Sequence, residues 1–167
     1  AASDVYKRQH LIQGLNSEEK YILRETLTPC GYATAKEQIF EIREKNIVLK
    51  VVDEDIKVDI SKKDITNKKE LSGAHLQVKN EDGEVLDSWI STDQEHRICH
   101  LEVGKKYILE ETMSPYGYEK SEKVEFVIKD TGEIQKVIMY DQPIIQAIKT
   151  GDSSCLLYTS DAADDSL

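Results

Sequence analysis

The chain has 167 residues, with 32 acidic side chains against 22 basic ones, a net charge of −10, and 39% hydrophobic residues. That length allows one domain or two small ones around a modest core. The acidic balance excludes a partner such as nucleic acid, whose binding rests on Lys and Arg neutralising phosphates, and no apolar run approaches the ~20 residues needed to cross a bilayer, so no membrane contact is expected within the chain.

The two ends read as foreign to the protein. Residues 1–9 (AASDVYKRQ) and Cys155–Ala163 (CLLYTSDAA), which opens the terminal stretch 155–167, can be back-translated into complementary strands of one DNA. Opposite ends of a protein have no physical reason to be so related, and the string resembles a transposase sequencing adapter read through at both ends. Both stretches are therefore set aside from fold reasoning as artefact. Of the three cysteines this leaves Cys30 and Cys99. An odd count without motif spacing already argues against a disulfide framework.

Inside these ends the chain repeats itself. KYIL (Lys20–Leu23) leads into ETLTPCGY (Glu25–Tyr32), and the same KYIL (Lys106–Leu109) leads into ETMSPYGY (Glu111–Tyr118), a spacing of 86 residues. LKVVDE (Leu49–Glu54) aligns with VIMYDQ (Val137–Gln142), 88 residues further on. A period this long marks tandem domains, not a solenoid unit. The expected organisation is the C-terminal half of a first repeat over 10–56 and a complete repeat over 57–143, with a linker or degenerate sorting signal over 144–154.

The complete repeat reads as β throughout. Ile56–Lys62, His75–Asn80, Val85–Ile90, His96–Leu101, Lys106–Thr112, Glu122–Ile128 and Gln135–Asp141 are short runs rich in β-branched and aromatic residues. Turn signals separate them: Asn80–Gly83, Val103–Lys105, Ser114–Gly117 and Asp130–Gly132. Seven short strands at this spacing predict an all-β, seven-stranded sandwich or small barrel.

Strand side chains alternate between faces, so parity assigns each a direction. Lys62 is in phase with Ile56, Val58 and Ile60; Glu111 with Tyr107 and Leu109; Asp141 with Val137 and Met139. Each charge ends an apolar stripe that faces the core. Charged residues at strand ends are commonly solvated, and a buried ion pair is a second reading. If the three meet, burial disfavours their charged forms, and a neutral Lys62 amine can attack the Asp141 carboxyl carbon while Glu111 shuttles the proton. Held in contact, the pair gains the effective molarity of an intramolecular reaction, worth ~7–11 kcal/mol of barrier.

The residues ISKKD (Ile60–Asp64), ELSGA (Glu70–Ala74), the E-T-x-x-P-x-G-Y of Glu111–Tyr118 and VIMYD (Val137–Asp141) resemble the B-type repeat of collagen adhesins and the prealbumin-like, SpaA-like domains of Gram-positive pilins. The resemblance implies a prealbumin-like sandwich with an isopeptide bond from Lys62 to Asp141, assisted by Glu111. Asp in place of the family's common Asn implies loss of water instead of ammonia. Glu25 and Asp53 fall on the matching positions of the first repeat, whose Lys lies on the strand that 10–56 lacks. The resemblance further implies a structural stalk repeat of an extracellular, wall-anchored adhesin or pilin, with neighbouring repeats of the same chain as partners. Such a repeat is not an enzyme on external substrates, and it needs no cofactor and no metal. The alternative is a module binding host extracellular matrix or carbohydrate on an outer sheet face.

Other features carry less. His96, Cys99 and His100 have the wrong strand parity for a metal site. Trp89 reads as core, and Cys30 as an exposed turn residue. Ala147–Ser154 (AIKTGDSS) resembles a sortase sorting signal around Thr150-Gly151 but lacks the usual Pro, and a polar linker explains it equally well.

Overall fold

The computed structural model describes residues 9–43 and 46–145; the adapter-like stretches, apart from Gln9, and the sorting-like Ala147–Ser154 lie outside them. Among the described residues every regular element is a strand. Four short strands come first: β1 (Lys20–Leu23), β2 (Tyr32–Ala33), β3 (Gln38–Glu41) and β4 (Glu54–Asp55). Seven more complete the chain order: β5 (Lys57–Asp64), β6 (His75–Lys79), β7 (Val85–Ile90), β8 (His96–Cys99), β9 (Lys106–Met113), β10 (Val124–Val127) and β11 (Gln135–Asp141).

The seven strands form two sheets, a four-stranded one ordered β10-β9-β6-β7 and a three-stranded one ordered β11-β5-β8. Their alternating residues make one core that includes Val58, Ile60, Leu76, Val78, Tyr107, Leu109, Val137 and Met139. The alternation is clean on β9 and β11, where each inward residue is buried between more exposed neighbours. The all-β sandwich class and the seven strands agree with the sequence reading. One pairing is not visible in the sequence: the last strand lies parallel to the first, with Val137 opposite Ile60, Met139 opposite Lys62 and Asp141 opposite Asp64.

β5 departs from simple alternation. Lys62 faces inward, as its parity predicts, yet Asp59 and Ser61 on the opposite face are buried too. β5 is flanked on both edges, and long side chains from its neighbours lie over it. Arg97 on β8, directly across from Asp59, donates to its carboxylate at 2.7 and 2.9 Å. Ser61 donates to Glu95, which also accepts from Lys136 on β11. The Arg97 bonds hold the Asp59 carboxyl below the usual carboxylate range.

The N-terminal strands rebuild part of this architecture. β1 and β3 pair with Tyr21 opposite Phe40 and Leu23 opposite Gln38, while β9 and β10 pair with Tyr107 opposite Phe126 and Leu109 opposite Val124. The rings sit alike, 5.6 Å and 28° apart in the first hairpin and 5.9 Å and 30° in the second. The turn after each hairpin's first strand is the same: Tyr32 N donates to Pro29 O at 3.2 Å and Tyr118 N to Pro115 O at 3.1 Å. Tyr32 then bridges to Asp55, as Tyr118 bridges to Pro143.

The likeness stops at the last strand. Val137–Asp141 is strand, whereas its sequence counterpart Leu49–Asp53 has no regular structure and only Glu54–Asp55 pairs. β11 takes its ladder from β5 alone. No described strand stands in that place for Leu49–Asp53, and an unpaired backbone gains nothing by extending.

Candidate functional site

β5, β9 and β11 deliver their inward residues to one point between the sheets. Lys62 comes after Val58 and Ile60 along β5, Glu111 after Tyr107 and Leu109 along β9, and Asp141 after Val137 and Met139 along β11. The parallel register places Asp141 one pleat beyond the residue facing Lys62, within reach of a diagonal side-chain contact. Lys62 Nζ donates to Asp141 Oδ1 and lies 3.0 Å from Glu111 Oε1, an ion-pair contact without hydrogen-bond alignment. The three side chains are 1%, 0% and 0% exposed. Glu111 Oε1 and Asp141 Oδ2 have no hydrogen-bond partner.

A fourth residue, which sequence reasoning missed, completes the cluster. Ser121, in the loop before β10, receives a hydrogen bond from Lys62 Nζ at 2.5 Å and donates to Asp141 Oδ1. Its backbone N donates to Glu111 Oε2 at 2.7 Å, with its hydroxyl 3.3 Å from the same oxygen. A single serine in a loop belongs to no periodic pattern, and its approach is set by the preceding turn. The repeat offers no signal either, because its counterpart is Ala35.

Asp64 supports the cluster from the end of β5. It accepts from Thr66 Oγ1 at 2.6 Å, Thr66 N at 2.7 Å, Asn67 Nδ2 at 3.0 Å and the Tyr118 hydroxyl at 2.9 Å. The Thr66 bonds foremost hold its carboxyl down at about 2. The Tyr118 hydroxyl is pushed up by the same contact. Ile65 N donates to the Asp141 carbonyl at 3.0 Å, tying the two strand ends together. The E-T-x-x-P-x-G-Y turn thus supplies Glu111 at one end and Tyr118 at the other.

The matching positions in 10–56 are half assembled. Glu25 Oε2 accepts from Ala35 N at 2.8 Å, the counterpart of the Ser121–Glu111 bond, and also from Thr28 Oγ1 at 3.0 Å. Asp53 lies on the unpaired stretch before β4, and among the described residues no lysine stands in the place of Lys62.

The remaining sequence candidates have ordinary surroundings. His96 stacks on Trp89 at 4.0 Å and contacts Asp87 at 2.8 Å, joining the edge strands of the two sheets. Trp89 is half-buried against the core, and Cys30 and Cys99 are exposed. No group of three or more His, Cys, Asp or Glu among the described residues is placed to hold a metal.

Chemically, a lysine held against a carboxyl group in a dry pocket has two outcomes. It remains a buried ion pair, for which desolvation offsets much of the Coulomb gain, or it condenses to an amide.

Comparison with known proteins places this unit. No curated protein sequence matches the chain. Among solved structures it is similar to the Bacillus anthracis TIE protein, with 28% identity and a TM-score of 0.50 over 75% of this chain, which spans only 25% of that protein. It is also similar to the shaft pilin SpaA of Lactobacillus rhamnosus GG (16% identity, TM-score 0.46, 77% of this chain and 66% of that one). A third similarity is to BcpA, the major pilin subunit of Bacillus cereus (26%, 0.45, 52% and 28%). The family model for the SpaA prealbumin-like fold domain matches residues 56–143. That match spans β5 to β11 and more than half of the sequence, and the chain accordingly belongs to the SpaA prealbumin-like fold domain family.

Proposed function

We propose that 57–143 is a load-bearing repeat in the stalk of a wall-anchored surface adhesin or pilin, and that it locks itself with an isopeptide bond between Lys62 and Asp141, assisted by Glu111. In this reading 10–56 is the latter half of the preceding repeat, with Glu25 and Asp53 in the matching positions, and 144–154 is a linker or sorting signal. The repeat turns over no external substrate. Its partners are its neighbours in the chain.

The observation that carries the proposal is the buried contact of Lys62 Nζ with Asp141, with Glu111 beside it. Condensation is balanced within these residues. Of the three protons on the Lys62 ammonium, one stays on the amide nitrogen and two leave with one Asp141 oxygen as water. Glu111, 3.0 Å from Nζ, is placed to accept one proton and return it to the departing oxygen.

The topology gives the bond a mechanical meaning. Tension along the chain enters at the start of β5 and leaves at the end of β11, which are parallel neighbours pulled in shear. A Lys62–Asp141 bond carries that load through one side-chain bridge, so the 79-residue span between the two, with β6 to β10, bears none of it. In the chain-entropy model, closing a loop of this length contributes about 4–5 kcal/mol by analogy with a disulfide.

Proteolysis and subsequent peptide mapping test the assignment. The expected product is one branched species joining the Lys62 and Asp141 peptides, absent from Asp141→Ala. Recovery of two separate linear peptides from the wild-type chain contradicts it.

A further inference from the structure

Two protons must travel from Lys62 Nζ to the leaving oxygen, and the contacts of Ser121 describe a path for one of them. We infer that Ser121 is a catalytic residue of the condensation, relaying a proton from Lys62 to Asp141 Oδ1. This rests on the isopeptide reading above and adds to it a second proton carrier.

The hydroxyl bridges the reacting atoms. Its oxygen accepts from Nζ at 2.5 Å, and the hydroxyl is placed to donate to Asp141 Oδ1. As the nitrogen attacks the carboxyl carbon, Ser121 Oγ takes an Nζ proton and passes its own to Oδ1. Glu111 carries the second proton. Oδ1 then leaves as water, the Cγ–Oδ1 bond breaks, and Oδ2, which has no other partner, remains as the amide oxygen. Ser121 ends with the proton it took from Nζ and is regenerated.

The chain contains its own control for a merely structural role. Holding the Glu carboxylate in place is done by a backbone N–H, from Ser121 to Glu111 at 2.7 Å and from Ala35 to Glu25 at 2.8 Å. Alanine performs that task at Glu25, where no described lysine stands in the place of Lys62. The hydroxyl is the added element, and it appears where Lys62 and Asp141 meet.

The experiment monitors loss of water by intact mass in freshly synthesised full-length chain, over a pH series, for wild type, Ser121→Ala and Ser121→Thr. Ser121→Ala is expected to slow bond formation about a hundredfold, as for loss of a general acid–base group, and to change the pH profile. Ser121→Thr, which keeps the hydroxyl, should recover much of the rate. Adding Ser121→Ala in the Lys62→Ala background, where no bond can form, reads by melting temperature what the Ser121–Asp141 hydrogen bond contributes to the fold alone, which separates chemistry from folding. If wild type loses water and Ser121→Ala matches its rate across the series, the relay is wrong while the bond stands. A drop in melting temperature in the Lys62→Ala background, with no effect on rate, makes Ser121 structural. Wild type that never loses water overturns the relay together with the isopeptide reading.

Discussion

Residues 10–56 and 57–143 carry the same hairpin, with the same aromatic pair, and the same turn, but only the second closes its last strand. β1 and β3 form in the register of β9 and β10 without the strand that β6 supplies at the other edge of β9. Leu49–Asp53, by contrast, stays irregular without a β5-like neighbour. Hairpins and turns are thus encoded locally, whereas the last strand depends on a partner far away in sequence. The candidate site shows the same division. Its glutamate is positioned by local bonds in both units, and its lysine and aspartate are brought together only by the long-range parallel pairing.

The largest effect is expected at Lys62. Lys62→Ala removes the covalent closure, which lowers stability by about 4–5 kcal/mol, and in a chain whose pair has stayed ionic it leaves two buried carboxyl groups without their cation at a cost of about 3–5 kcal/mol. Glu25→Ala, at the matching position in 10–56, should leave the main denaturation transition within about 0.5 kcal/mol, the usual range for changes away from a packed site. Equal effects from the two substitutions break the comparison.

Packing gives the next contrast. Leu109 is fully buried between the sheets, while its counterpart Leu23 is only partly buried on a two-stranded hairpin. Leu109→Ala should cost about 2–5 kcal/mol in a chemical denaturation experiment. Leu23→Ala should cost less than half as much. A larger loss at Leu23 means that 10–56 contributes a core of its own.

Acid sensitivity should be smaller and confined to 57–143. Asp64 and Glu110 are held at about 2, against ordinary values of 3.8 and 4.5, Asp64 by the Thr66 bonds and Glu110 chiefly by Lys79 and Lys123. Because the folded values are lowered, the stabilisation is present above the ordinary values and is lost as pH falls through about 2. Asp64→Asn should therefore flatten the decline of melting temperature below pH about 4. An unchanged slope removes Asp64 from the explanation. Glu110 has Arg24 as its counterpart, so 10–56 does not repeat that acid-sensitive group.

Much of the fold was legible in the sequence, for identifiable reasons. Alternation made β5 to β11 readable, because each strand has one face in a common core. It also gave the inward direction of Lys62, Glu111 and Asp141, since a strand end keeps the parity of its stripe. Pairing was not legible. Nothing in QKVIMYD says that its neighbour is the strand beginning at Lys57, or that the two run parallel. Burial of Asp59 and Ser61 depends on Arg97, Glu95 and Lys136 from neighbouring segments, which parity on β5 alone cannot supply. Ser121 and the Thr66 cap on Asp64 sit in loops, where three-dimensional closure decides the contacts.

Whether Lys62 and Asp141 are joined is the central question, and the intact mass of the purified chain reads it most directly. The expected mass is one water below that calculated from the sequence, returning to the full calculated value in Lys62→Ala, Glu111→Ala and Asp141→Ala. A wild-type chain that keeps its full mass after prolonged incubation contradicts the bond, and the site is then a buried ionic cluster in a sandwich held by noncovalent packing alone.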